Sequence, residues 1–138
     1  MAKTICKILG VVFLLVGLIG FAKPDLMGTH LSVLHNIVHI ASGAIALYLG
    51  FAGTLSAARL FCIVFGIVYL LLAVLGFALG SSAASSIPGM THTDPNLWKV
   101  IPGQLELGRM DHIIHVLLGV LFLIGGFLTK EDVRRTVD

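Results

Sequence analysis

Charge is what this sequence has least of: Asp, Glu, Lys and Arg together make up 12% of its 138 residues. That excludes an ordinary water-soluble surface, since soluble domains carry about 25% charged residues. The net charge of +2 is too small and too scattered to hold a nucleic acid, so no nucleic-acid partner is expected. Cysteine is nearly absent as well, with Cys6 and Cys62 the only two. Both fall near ends of apolar runs expected to face the cytoplasm, where cellular thiols keep them reduced, and a structural disulfide is not expected. Also missing are a nucleophile and base pair, a phosphate loop and a cofactor fingerprint, which argues against an enzyme.

What is present is hydrophobic sequence. Hydrophobic residues make up 57% of the chain and the mean hydropathy is +1.03. Four stretches, 5–22, 34–52, 60–80 and 111–129, are nearly free of charge. Each approaches the roughly 20 helical residues that cross about 30 Å of hydrocarbon. The runs are continuous rather than alternating, and an open strand edge cannot be left in lipid, so helices are expected and a barrel is excluded. The expected fold class is all-α: an integral membrane four-helix bundle forming a single transmembrane domain over 1–138. Between the last two spans, 81–110 opens with SSAASSIPG and contains Pro88, Pro95 and Pro102, the composition of a loop. Within it, Trp98 and Lys99 suit a short piece lying at the membrane surface.

Basic residues set the orientation, because short loops rich in Lys and Arg stay in the cytoplasm. With four spans both termini share a side. That side carries Lys3, Lys7, Arg59, Lys130, Arg134 and Arg135, and the other carries Lys23, Lys99 and Arg109. The expected placement is a bacterial plasma membrane, with both termini cytoplasmic and 81–110 outside.

The two halves of the chain resemble each other. ILGVVFLLVGLIGF at 8–21 lies over VFGIVYLLLAVLGF at 64–77, pairing Gly10 with Gly66, Gly20 with Gly76 and, just before, Cys6 with Cys62. A sharper match is HNIVHIASGAIAL at 35–47 over DHIIHVLLGVLFL at 111–123, because it includes polar residues that apolar bias cannot produce. Here His39 meets His115, His35 meets Asp111, and Asn36 meets His112. Duplication of a two-helix hairpin accounts for both, giving two parallel repeats about an axis along the membrane normal. It also argues against reading the first span as a cleaved signal, which would leave 60–80 without a counterpart. Small residues such as Gly10, Gly17 and Gly20, Ser42, Ala46 and Gly50, and Gly76 and Gly80 form faces for close helix packing.

The HNxxH of the second span, the Asp-x-x-x-His of the fourth and the GxxFLLxGLxGF-like first span together resemble a family of small bacterial four-span proteins defined by a domain of unknown function. The resemblance covers nearly the whole chain, with His35, Asn36, His39, Asp111 and His115 as the matching positions. At His112 the family pattern more often has another polar residue. The resemblance implies a fold and a membrane location, and no activity.

Histidine within a span is a functional hypothesis by default. His35 and His39 share one helix face, as do Asp111 and His115, each pair four residues apart. If the axis runs between the second and fourth spans, His35, His39, Asp111 and His115 converge near the outer helix ends. Three imidazoles and a carboxylate suit zinc, and equally copper or iron. Asn36 and His112, about 100° further round each helix, are at most supporting partners. A haem held between His39 and His115 is a second possibility, and a proton relay a third. The plainer reading has Asp111 satisfying a helix N-terminus while His39 and His115 hydrogen-bond across the bundle as polar packing. His30 and His92 lie in outer loops, where either could add a ligand from above.

Three function classes follow: a structural or accessory membrane protein, in a homo-oligomer or a larger membrane complex; an outward-facing metal or haem binder; and a transporter or channel. The first needs only the packing faces. The last is disfavoured because no charge lies in the middle of any span.

Overall fold

The computed structural model describes residues 1–90 and 92–130. Arg134 and Arg135, two of the basic residues used for orientation, lie outside the described residues.

Four helices dominate: α1 (Ala2–Gly20), α2 (Val33–Phe51), α3 (Leu55–Leu79) and α4 (Arg109–Phe127). All four are long and apolar enough to cross a membrane. Large apolar side chains such as Ile8, Leu15, Leu18, Ile45, Leu71, Val74 and Leu117 are exposed along them, the surface expected of a multipass membrane chain whose solvent is lipid. α3 starts five residues before the apolar run at 60 because Thr54 caps it, its hydroxyl accepting the Ala57 amide at 3.1 Å.

The fold is not purely helical, a correction to the all-α expectation and to the reading of 81–110 as a loop. This segment holds three strands, β1 (Ser81–Ala84), β2 (Thr93–Ile101) and β3 (Leu105–Leu107), antiparallel in the order β1-β2-β3. Proline pointed the wrong way for a physical reason. Pro95 lies in the central strand, where a missing N–H should be costly, but the register shifts there: Leu97 pairs with Ser81 and Asp94 with Ala83. At such a bulge Pro forfeits no ladder hydrogen bond. Pro102 and Gly103 form the tight turn between β2 and β3, with Gly103 at φ +76° and the Gln104 amide donating to the Ile101 carbonyl at 3.0 Å, a type II arrangement. Trp98 and Lys99 are β2 residues paired with Leu107 and Glu106.

α1 packs along α2 and α3 along α4, and the two hairpins meet chiefly through α1 against α3 and α4. Within the hairpins glycines bring helices into contact. A Cβ on Gly20 would lie 2.1 Å from Asn36 Oδ1, and one on Gly76 would lie 2.2 Å from the His112 ring. Gly10 packs on Leu47, and Gly66 on Leu123. Between the hairpins, Cys6 and Cys62 are buried with their sulfurs 3.6 Å apart. Above them a layer of aromatic rings fills the core: Phe13 lies 5.7 Å from Tyr69 and 5.9 Å from Phe122 between centroids.

Candidate functional site

The sheet covers one end of the bundle, and the chemistry is concentrated there. Every histidine of the chain lies at this end, and all but His92 are buried.

Two helix starts build the site. Ser32 is the N-cap of α2, its hydroxyl accepting the His35 amide at 3.1 Å and donating to the Gln104 carbonyl in the β2–β3 turn. At α4 the roles reverse. Gly108 has no side chain, so Asp111, three residues on, accepts the Gly108 amide at 2.8 Å. These are the two complementary halves of a capping box, one at each helix. Asp111 Oδ2 also accepts the His30 amide at 3.0 Å and lies 3.4 Å from His30 Nδ1, tying the α1–α2 connection to α4.

His35, His39, Asp111 and His115 all line one cavity of about 80 Å³ between α1, α2 and α4, although no three of their donor atoms lie within 4.8 Å of one another. The His35 and His39 rings stack at 4.6 Å, and His35 lies 6.2 Å from His115. The three imidazoles also border a second, apolar cavity of about 220 Å³ beside Tyr69. They thus form a wall between two spaces. The aromatic layer is their floor, with Phe13 5.4 Å from His39 and Tyr69 5.1 Å from His115.

Hydrogen bonding fixes part of the tautomer pattern. His35 Nδ1 lies 2.9 Å from the His30 carbonyl, which can only accept, so Nδ1 donates and the neutral ring keeps its lone pair on Nε2. The polar-packing reading had His39 and His115 hydrogen-bonding across the bundle. The Nδ1 atoms of His39 and His115 are both buried without a hydrogen-bond partner among the described residues. Asn36 and His112 have supporting places: Asn36 donates to the Leu31 carbonyl at 3.4 Å, and His112 Nε2 lies 3.1 Å from the Asn96 carbonyl of β2.

Sequence reasoning undervalued two groups. Glu106 on β3 is fully buried, and its carboxylate accepts the amides of Ser86 and Gly103 and the Ser85 hydroxyl, each at 2.9 Å. Burial opposes its ionisation, but these donors outweigh burial and hold its carboxyl below the usual range. The other group is His30, His92 and Asp94, whose donor atoms lie within 4.8 Å of one another, the only such trio among the described residues. The sequence places these residues on two separate loops, and only the folded connection between them makes a cluster.

No curated protein and no solved structure matches the chain. A family model, the domain of unknown function DUF4383, matches residues 3–128. The four apolar helices and this match over nearly the whole length lead to one statement of kinship: the chain belongs to the DUF4383 family.

Proposed function

We propose that this protein is a membrane-embedded transition-metal binder whose ligands are His35, His39, Asp111 and His115. The observation that carries the reading is the pair of buried, unpartnered Nδ1 atoms on His39 and His115. An unmet buried donor or acceptor costs about 1–3 kcal/mol, which packing alone does not recover and a bound ion would. Neutral imidazole is the commonest metal ligand, and the adjoining cavities give the rings room to turn. At about 80 and 220 Å³, those cavities are below the roughly 300–1,000 Å³ of small-molecule pockets, which favours an ion over haem. A transport role is disfavoured, because among the described residues the core below the imidazoles is mostly apolar, with Phe13, Phe122, Phe61, Leu9 and Ala58 beside Cys6 and Cys62, and holds no charged side chain.

The reading includes a bacterial plasma membrane with the sheet end outside. Lys3, Lys7, Arg59 and Lys130 all lie at the opposite end, in support of cytoplasmic termini. It also includes a single domain built by duplication of a hairpin. In support, Gly10 on Leu47 corresponds to Gly66 on Leu123, and Gly20 on Asn36 to Gly76 on His112, when the halves are overlaid.

Elemental analysis of detergent-purified protein tests the function, beside a variant carrying His39→Ala and His115→Ala. Zinc, copper or iron in the wild type, lower by one ion per chain in the variant, is the expected result. Metal-free protein that refuses added metal and folds equally well in both forms would leave a structural or accessory module, working in a homo-oligomer or beside a larger partner.

A further inference from the structure

We infer that His30, His92 and Asp94 form a second transition-metal site, at the sheet-covered end of the molecule and distinct from the imidazole cluster within the bundle. Their donor atoms lie within 4.8 Å of one another, and the His30 and His92 rings are 5.0 Å apart. Donors around a tetrahedral zinc are about 3.3 Å apart, so the trio must contract by up to about 1.5 Å. His92 is exposed and free to make that movement, while His30 and Asp94 are buried.

Asp94 by itself has an ordinary explanation. Its carboxylate accepts the Asn96 amide at 2.8 Å and the Arg109 amide at 3.1 Å, satisfying the first turn of α4. A carboxylate has about four lone-pair positions, so these bonds orient it without exhausting it. His30 has no such explanation. It is fully buried, outside the spans, and its Nε2 has no hydrogen-bond partner. Asp111 Oδ2, at 3.4 Å from Nδ1, stands where a carboxylate orients a metal-ligating imidazole. Gly108 leaves the space in which the two side chains converge: a Cβ there would lie 2.4 Å from Asp94 Oδ2 and 2.5 Å from the His30 ring. A cation would ordinarily avoid the N-terminus of α4, but Asp94 and Asp111 supply two negative charges beside it.

Two histidines and a carboxylate, with a fourth position open towards water, match zinc-type coordination. Because His30 belongs to the α1–α2 connection and His92 and Asp94 to the sheet segment, the ion would clamp the two together. Binding should therefore stabilise the fold.

The test is a titration of the chelator-stripped, detergent-solubilised full chain with Co²⁺ and then Zn²⁺, following ligand-field absorption and thermal unfolding. The expected result is a tetrahedral Co²⁺ spectrum displaced by Zn²⁺, with a rise in Tm. Co²⁺ binding should persist in the His39→Ala, His115→Ala double variant, and in that background adding His92→Ala or Asp94→Asn should weaken it at least tenfold. His92 is exposed, so His92→Ala should fold normally even if Asp94→Asn does not. The inference is overturned if wild type shows no metal binding, or if adding His92→Ala to the double variant leaves its Co²⁺ affinity unchanged. Loss of binding only in the double variant would overturn this site while leaving the bundle site standing.

Discussion

Single residues at the sheet end do more than one job, and substitutions there should have graded effects. Glu106 is the clearest case, a buried carboxylate surrounded by donors from both sides of the sheet segment. Its carboxyl is held below the usual range, so its contribution is present above the unfolded value of about 4.3 and is lost as pH falls through the lower folded value. Glu106→Gln should lower the Tm at pH 7 and flatten the acid side of the stability curve, with thermal unfolding across pH as the check. Gly76 is a second case. A methyl group there would meet the His112 ring at 2.2 Å, so Gly76→Ala should cost about 1–3 kcal/mol as an overpacked contact. Val74→Ala, two residues away on the lipid-facing side, should cost well under that in the same unfolding assay.

The connections between elements hold the site, and Ser32 joins two of them. Its hydroxyl caps α2 and reaches the β2–β3 turn, so Ser32→Ala should cost about 1 kcal/mol from the cap alone. Faster hydrogen exchange around residues 102–105 should accompany that loss. The helices were legible in the sequence because a span needs one continuous apolar run, and hydropathy reads that directly. Their ends were less so: Thr54 and Gly108 set the starts of α3 and α4 through local capping that hydropathy does not sense. The sheet was illegible because its signals conflict, with Pro95 and Pro102 breaking a pattern that the bulge and the turn in fact require. In the site, the i, i+4 spacing put His35 with His39 and Asp111 with His115 on common faces, and one cavity collects them. What spacing could not supply was His30 and its trio, since contacts between loops depend on the folded chain.

At the scale of the whole molecule, two hairpins meet on a narrow seam with Cys6 against Cys62 at one end and imidazoles at the other. The seam makes a prediction independent of any metal. With the sulfurs 3.6 Å apart, mild oxidation in detergent should join Cys6 to Cys62 within one chain, read as loss of both alkylation sites by mass spectrometry. The aromatic layer divides the core into an apolar half and a histidine-bearing half. The central claim is that this end holds a metal on imidazole nitrogen. X-ray absorption at the zinc edge of metal-loaded, detergent-purified wild type tests it most directly. The account predicts a first shell of nitrogen and oxygen with the multiple scattering of two or more imidazoles, reduced in the His39→Ala, His115→Ala variant. A zinc shell without imidazole, or protein that retains no zinc, would contradict it.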